Sequence, residues 1–353
     1  MPTLKEILHK FVIQHLKAHQ QLHIKKISCL NPSLPKKEKT MGSEALLPVI
    51  DLSELKPGTP EWDSVRPRVE QALQEYGCFQ ALFNKVPFEL RKSMLGAMEE
   101  IFELPLQTKS RFFCAKTPFG GYTAHSPTTP WESMNIGNVH IPDNLTSFTN
   151  LLWPEGNPSS CKILRSYTEQ LSELDQTIRR MVLESFGVDQ KYCDEHIDLS
   201  RYTLRVMKYE GPETMESKLL LRPHSDKNLL GILYQLNEVH GLEVQSKDGK
   251  WINVKPLPDS FIVMAGDSFH ALTNGHVHAP VHRVVMTENE TRYSVGLFSS
   301  PKEGHIVKVP DELVNEEHPL RFKPFEYMEY LKFFATEKGQ KSHECGIKVF
   351  CGI

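Results

Sequence analysis

A change of hydrophobic period divides this chain and limits the folds open to it. After residue 200, short runs alternate between apolar and polar side chains, which is the period of a β-strand. We predict strands at 202–209, 229–236, 241–245, 251–254, 260–265, 281–287 and 292–299. Many short strands without helices between them favour an antiparallel sandwich or barrel over a parallel α/β sheet.

Helical spacing flanks this β-rich part. Apolar residues predict helices over 65–76, 90–104 and 164–182, after a short strand at 47–50. Lys323–Glu337 returns to helical spacing. The fold class is therefore α+β. We predict an N-terminal helical region at 46–160, a long helix with a β core at 161–300, and a C-terminal helix and tail at 301–353.

Two segments do not fit regular elements. Residues 114–160 are rich in Gly, Pro, Ser, Thr and Asn, so we interpret them as a functional loop region or a partly mobile one. Residues 1–40 are basic and acid-poor like a transit peptide, but they lack Arg and contain few Ser. We interpret residues 1–45 as a disordered extension, or residues 1–40 as sequence upstream of a native start at Met41.

Composition excludes several classes of protein. The net charge of −3 argues against a nucleic acid or an acidic membrane as partner. The longest apolar runs are about six residues, whereas a membrane span needs roughly 18. The seven cysteines form no CxxC pair, so neither a disulfide framework nor a thiolate zinc site is indicated. We expect a cytoplasmic monomer that acts on a small molecule.

His224-Ser225-Asp226 is the first candidate site. In an extended segment His224 and Asp226 point to the same face and Ser225 to the other. One imidazole and one carboxylate supply two of the three ligands of a 2-His-1-carboxylate metal site, which leaves positions on the metal open. The alternative is a His–Asp pair at the end of a strand.

The third ligand has several candidates among the histidines of the β-rich part: His240, His270, His276, His278 and His282. We favour His282, since Arg283 and a predicted β-hairpin follow it, although His276 and His278 lie close by. On the second strand of that hairpin Arg292 and Ser294 share a face.

An Arg within an apolar strand requires an anion, and a guanidinium binds a carboxylate through two hydrogen bonds. In the predicted hairpin, Arg292 lies opposite Met286 or Thr287, roughly 13–17 Å from His282. A five-carbon diacid that also binds the metal would cover this gap. Tyr209 could donate its hydroxyl to the same carboxylate.

Together these motifs resemble the plant Fe(II)/2-oxoglutarate-dependent dioxygenases, over about residues 46–335. The resemblance implies an isopenicillin N synthase-like double-stranded β-helix (jelly roll) core with a helical N-terminal portion and a C-terminal helix. It implies that His224, Asp226 and His282 bind Fe(II), and that Arg292, Ser294 and Tyr209 bind 2-oxoglutarate. O2 is then the second cosubstrate and ascorbate an accessory reductant.

Within that family the chain is similar to the glucosinolate side-chain dioxygenases, which form alkenyl and hydroxyalkyl products. The similar strings are Phe102–Pro105, Arg179–Val182, Met207–Tyr209, Asp226–Asn228 and Lys323–Tyr327. This implies oxidation of a C–H bond of a small plant specialised metabolite by hydroxylation, desaturation or dealkylation. Many members carry Asn where this chain has Met207, a difference that bears on the cosubstrate pocket.

Aromatic residues of two segments are candidates to face the substrate, with packing against the core as the alternative: Phe119, Tyr122, His125, Trp131, Phe325, Tyr330 and Phe334. Lys227 is expected to be solvated or to meet an acidic group of the substrate. Two other functions stay open: an oxidase of the same fold that does not use 2-oxoglutarate, and a non-catalytic relative that binds a small molecule.

Overall fold

The structure is a computed structural model that describes residues 46–113, 120–126, 129–213, 217–334, 336–342 and 346–353. The predicted extension 1–45 and Phe119 lie outside these residues.

Strands supply the centre of the fold. Those of the described residues are β1 Val49–Asp51, β2 Cys78–Leu82, β3 Gly121–Thr123, β4 Trp131–Gly137, β5 Ser200–Tyr209, β6 Lys218–His224, β7 Leu230–Gln235, β8 Leu242–Gln245, β9 Trp251–Asn253, β10 Ser260–Ala265, β11 His282–Met286, β12 Arg292–Pro301, β13 Ile306–Val307 and β14 Phe325–Glu326. A larger sheet has the order β1-β2-β10-β7-β12-β5-β4-β3, and a smaller one has the order β6-β11-β8-β9. The two sheets form the predicted jelly roll.

Helices pack on the larger sheet and form the last part of the described chain. They are α1 Pro60–Glu75, α2 Phe88–Glu103, α3 Leu106–Lys109, α4 Pro142–Leu152, α5 Pro158–Ser185, α6 Gln190–Asp198, α7 Asp267–Leu272, α8 Tyr327–Phe334, α9 Glu337–Lys341 and α10 Gly346–Cys351. Helix α1 begins at a side-chain cap, where Thr59 Oγ1 accepts the N–H of Trp62 at 3.4 Å. Helix α5 begins in the same way, with Asn157 Oδ1 accepting the N–H of Ser160 at 3.0 Å.

Helix α5 is fixed to the larger sheet by a buried polar network. Its apolar stripe packs on the outer face of β7 and β12. Within this contact Arg179 Nη2 lies 2.7 Å from Asp175 Oδ2, and both side chains are fully enclosed. Ser299 Oγ of β12 donates to Asp175 Oδ1 at 2.6 Å, and Tyr202 of β5 donates to Asp175 Oδ2 at 3.0 Å. Both carboxylate oxygens of Asp175 thereby have protein hydrogen-bond partners.

The predicted strands agree closely with those observed, but their pairing differs in one respect. Strands β11 and β12 do not form a hairpin. Strand β11 pairs with β6 and β8, whereas β12 pairs with β5 and β7 in the other sheet. Residues 287–291 carry the chain from one sheet to the other, so the predicted position of Arg292 opposite Met286 is wrong. Its partner is Tyr209 of β5.

The region 114–160 is also more regular than predicted. Of its described residues, β3 and β4 extend the larger sheet and α4 packs beside α5. The polar residues of β4 hid its period, because Glu132, Ser133 and Asn135 are buried although they are hydrophilic. At the other end, the helix predicted over Lys323–Glu337 is shorter, and Phe325 belongs to β14.

Candidate active site

Three side chains of the predicted metal site come together at the mouth of the barrel. His224 is the last residue of β6, a strand missing from the sequence prediction, and it lies directly opposite His282, the first residue of β11. Asp226 follows in the loop to β7. The two histidines are therefore placed by the register of the smaller sheet, and the carboxylate by the turn that leaves it.

The distances suit a single metal ion. His224 Nε2 lies 3.8 Å from Asp226 Oδ1, and His282 Nε2 lies 3.9 Å from the same oxygen. One ligand atom from each residue lies within 4.8 Å of the others. Atoms bound to one ion at about 2.1 Å are at most about 4.2 Å apart, so a small side-chain shift places all three on one centre. Among the described residues this is the one such group of three.

The histidines are held with their Nε2 atoms toward this centre. His224 Nδ1 lies 2.8 Å from the carbonyl of Arg222, and His282 Nδ1 lies 3.5 Å from that of Pro280. A proton on Nδ1 donated to a carbonyl leaves the Nε2 lone pair for a metal. Desolvation, followed by the proximity of His282, lowers the pKa of His224 to about 3, so the ring is neutral at physiological pH.

A buried cation that has no carboxylate partner among the described residues lies farther along the barrel. Arg292 and Ser294 are 6 % and 3 % exposed, and both point into the barrel from β12. Arg292 Nε and Ser294 Oγ are buried without a hydrogen-bond partner. Burial lowers the pKa of Arg292, but a guanidinium stays charged at neutral pH. Such a pair of donors calls for a bound carboxylate.

Tyr209 completes this end of the pocket. Its ring lies under the Arg292 guanidinium, with 5.3 Å between the guanidinium carbon and the ring centroid. Its hydroxyl donates to Met207 Sδ at 3.3 Å, across the strand from Ser294. The thioether is a weak acceptor, so a carboxylate entering beside Ser294 would compete well for this proton. This is the local consequence of having Met207 two residues before Tyr209.

The carboxylate of Asp226 and the buried cation Arg292 lie at one face of the larger sheet, whereas His224 and His282 belong to the smaller sheet. Arg292 pairs with Tyr209, Ser294 with Met207, and each of these residues points inward by the strand period. At the other end of the face, a Cβ placed on Gly231 of β7 would lie 3.5 Å from Asp226 Oδ2 and 3.2 Å from the Phe298 ring. The inward face of the larger sheet therefore runs from Asp226 at one end to Arg292 at the other.

Sequence reasoning missed a second cation on the same face. Arg205 lies on β5 four residues before Tyr209, and its guanidinium carbon is 5.1 Å from the centroid of the Trp131 ring. Its Nε is buried without a partner. In the described part of the chain no carboxylate forms an ion pair with it. Because side chains alternate along a strand, Arg205 and Tyr209 share a face, and the sequence alone could have indicated Arg205.

Several residues expected near the substrate have structural partners instead. Tyr122 donates to Glu132, Tyr330 donates to Asp267, and Phe325 packs edge-on against Tyr330. Lys227 is neither solvated nor free, since its ammonium lies 2.8 Å from Asp267 Oδ2 and 4.3 Å from the Phe334 ring centroid. Trp131 does contact the pocket through Arg205, and His125 is exposed.

The alternative histidines lie outside the cluster. His270 Nδ1 bonds the Val277 carbonyl at 2.6 Å, and His276 packs against Phe186 and His318. His240 Nδ1 lies 3.2 Å from the amide of Gln235. Desolvation lowers the pKa of His278 to about 4 in its own partly buried position.

A jelly roll with a 2-His-1-carboxylate cluster at its mouth defines a class, the non-haem iron oxygenases. Comparison with known protein families identifies the class more narrowly. Residues 196–301 match the 2OG-Fe(II) oxygenase superfamily, and residues 47–155 match the N-terminal family described as non-haem dioxygenase in morphine synthesis.

Individual relatives agree with these matches. A probable 2-oxoglutarate-dependent dioxygenase of Arabidopsis thaliana, AOP1.2, is 50 % identical over 83 % of this chain and 92 % of its own length. The 2-oxoglutarate-dependent dioxygenase AOP3 of the same plant is 35 % identical over 89 % of this chain and 99 % of its own length. The crystal structure of JOX2 in complex with 2OG, Fe and JA superposes with a TM-score of 0.72, at 26 % identity, over 91 % of this chain and 96 % of JOX2.

The chain belongs to the 2OG-Fe(II) oxygenase superfamily. It is an oxidoreductase, a 2-oxoglutarate-dependent dioxygenase, and the predicted family and its dependence on Fe(II) and 2-oxoglutarate are confirmed. No helix of the described residues is long and apolar enough to cross a membrane.

Proposed function

We propose that His224, Asp226 and His282 hold Fe(II), and that Arg292, Ser294 and Tyr209 bind the distal carboxylate of 2-oxoglutarate. The observation that carries this proposal is the presence of two incomplete groups at the same face of the larger sheet. In the part of the chain that the structure describes, the cluster has three ligand atoms, and Arg292 Nε and Ser294 Oγ are buried without a hydrogen-bond partner. A diacid bound to the metal at one end supplies what both groups lack.

The residues of the chain have separate tasks in the reaction. When bound, Fe(II) supplies with O2 and 2-oxoglutarate the oxidising power that removes hydrogen from a C–H bond. His224 and His282 present neutral nitrogen donors, and Asp226 offsets part of the metal charge. Arg292 and Ser294 orient the cosubstrate by charge-assisted hydrogen bonds. Leu233 and Phe298 fill the space above Gly296 and keep water from this part of the pocket.

The test replaces His282, the proposed third ligand, and separately His276, one of the alternative candidates. His282→Ala should abolish succinate formation and the weak visible charge-transfer band that Fe(II) and 2-oxoglutarate give without oxygen. His276→Ala is the matched control and should retain both, because His276 packs against Phe186 outside the cluster. Succinate formation by His282→Ala, or its loss in His276→Ala, would contradict the assignment. Turnover independent of 2-oxoglutarate would instead favour an oxidase in which Arg292 holds a substrate carboxylate.

We further propose that the substrate is a small plant metabolite with an anionic group, which Arg205 binds against the Trp131 ring. Support comes from the buried Nε of Arg205, which has no partner, and from its place on the pocket face. A charge-assisted hydrogen bond contributes about 1.5–3 kcal/mol, or roughly 10- to 150-fold in affinity.

This proposal is separable from that for the iron site. Arg205→Gln should raise KM for an acidic substrate about 10- to 100-fold and change KM for its neutral ester less than about threefold. The slow decarboxylation of 2-oxoglutarate without substrate should persist, which distinguishes a lost substrate contact from a lost metal site. Arg180→Gln is the control, since Arg180 pairs with Asp194 on the helical side. An equal effect on acid and ester would refute the anionic contact.

The cellular setting and assembly stay predictions. Cys78, Cys161, Cys193 and Cys351 are free thiols, which supports a reducing compartment such as the cytoplasm. From the sequence we expect a monomer that uses ascorbate as an accessory reductant. The reaction is hydroxylation, desaturation or dealkylation of the substrate.

A further inference from the structure

A buried carboxylate outside the metal cluster collects donors from both sides of Asp226. Asp267 is 4 % exposed at the start of α7. Its Oδ2 accepts from Lys227 Nζ at 2.8 Å and from Ser225 Oγ at 3.2 Å. Ser225 and Lys227 are the two sequence neighbours of Asp226, so one carboxylate oxygen holds the side chains on either side of the ligand.

The backbone of the same loop is held by the same helix. The N–H of Asp267 donates to the carbonyl of Asp226 at 2.7 Å, and Ser268 Oγ donates to the carbonyl of Lys227 at 2.6 Å. The N–H of Ser268 donates to the carbonyl of Asn228 at 3.1 Å. Because both the backbone and the flanking side chains are fixed, Asp226 has little freedom to turn away from the two histidines.

Helix α8 supplies further contacts to Asp267 and Lys227. The Tyr330 hydroxyl donates to Asp267 Oδ2 at 2.7 Å from a fully buried ring on α8. Phe334, one turn later, lies under the Lys227 ammonium. The position of α8 is thereby connected to the loop that carries Asp226.

Charge gives this arrangement a second consequence. Lys227 follows Asp226 directly, and an ammonium paired with Asp226 would oppose a divalent cation at the same carboxylate. The ion pair with Asp267 holds this positive charge on the other side of the loop. Asp226 therefore retains its own charge for the metal.

We propose that Asp267 and Tyr330 are positioning residues for Asp226. Together they couple the packing of helix α8 to the affinity of the site for Fe(II). This inference rests on the proposed role of Asp226 as a metal ligand. Asp267 orients the loop and takes up the charge of Lys227, and Tyr330 fixes Asp267. Neither residue belongs to the cluster of His224, Asp226 and His282.

The test measures the Kd for Fe(II) without oxygen, in the full chain saturated with 2-oxoglutarate, from the charge-transfer band. Loss of groups that orient metal ligands typically weakens metal binding 10- to 100-fold, which is the range expected for Asp267→Asn. Tyr330→Phe should raise Kd about three- to tenfold, since the Lys227 and Ser225 contacts remain. In Asp267→Asn, the further change Lys227→Met should restore much of the affinity by removing the freed cation.

Tyr202→Phe is the matched control, because Tyr202 also donates a buried hydroxyl to a carboxylate, Asp175, on the outer face of the sheet. It should lower Tm about as much as Tyr330→Phe and leave the Kd unchanged. Equal Kd values for Tyr330→Phe and the wild type, or an equal rise in Tyr202→Phe, would overturn the inference, and Tyr330→Phe decides it should Asp267→Asn not fold. If Asp226→Ala itself binds Fe(II) like the wild type, the proposed metal site fails instead.

Discussion

Replacing Arg292 by Met should stabilise the protein without cosubstrate and abolish its stabilisation by 2-oxoglutarate. Arg292 is buried, and its Nε has no acceptor until a carboxylate is bound. Leaving a buried donor unsatisfied costs about 1–3 kcal/mol, and more when the group is charged. Met fills similar space with no donor to satisfy, so this cost disappears.

The opposing contribution is smaller. The Arg292 guanidinium lies 5.3 Å from the centroid of Tyr209, and such a cation–π contact stabilises by about 0.5–2 kcal/mol. The net gain of the variant is therefore on the order of 1 kcal/mol, or about 1–2 °C in Tm at an unfolding entropy of about 2.1 cal/mol/K per residue. For the wild type, 2-oxoglutarate at 100 times its Kd should add about 2.7 kcal/mol.

Thermal unfolding followed by fluorescence without oxygen and with Fe(II) measures both quantities. We expect Arg292→Met to have a higher Tm than the wild type without 2-oxoglutarate and a lower Tm with it. Arg292→Lys retains the charge and should behave between the two. A lower Tm of Arg292→Met without 2-oxoglutarate would refute the view that this cation is an unsatisfied group, and an unchanged response to 2-oxoglutarate would remove Arg292 from the cosubstrate site.

Three further predictions concern the surroundings of the site. Gly231→Ala should leave the fold intact but raise the Kd for Fe(II) several-fold, because the added Cβ lies 3.2 Å from the Phe298 ring and 3.5 Å from Asp226 Oδ2; Gly96→Ala, with no atom within 4 Å of its Cβ, is the control for both Kd and Tm. Asp175→Asn should lower the free energy of unfolding by about 3–5 kcal/mol in urea titrations, since Arg179 would be left buried without its counter-ion; a loss below about 1 kcal/mol would contradict this. Desolvation, followed by the charges of Arg179 and His305, lowers the pKa of His196 well below its usual value. Below about pH 6.5 this side chain therefore binds a proton in the unfolded chain but not in the native state. The free energy of unfolding then falls as pH falls, by at most about 1.4 kcal/mol per pH unit. His196→Leu should flatten this dependence between pH 5 and 7, and an unchanged slope would show that another group causes it.

The sequence alone predicted most strands, the long helix and which neighbouring side chains share a face. Alternation over 202–209 located strand β5, and a short apolar run at 260–265 located strand β10. The apolar stripe over 164–182 located helix α5, because period follows directly from strand and helix geometry. The same rule put His224 with Asp226, and Arg292 with Ser294. It hid β4, whose buried Glu132 and Asn135 find polar partners only in the folded protein.

Long-range features required the tertiary structure. Period does not specify which strand pairs with which, so β11 and β12 were expected as a hairpin although they lie in different sheets. Residues alone left several histidines open as third ligand, and it is the register of β11 against β6 that brings His282 opposite His224. Lys227 and Tyr330 were placed in solvent or near substrate, because nothing in their local sequence indicates Asp267, which lies forty residues or more away in the chain. Side-chain direction is set by nearest neighbours along the chain, whereas the partner a side chain meets is set by how the sheets close.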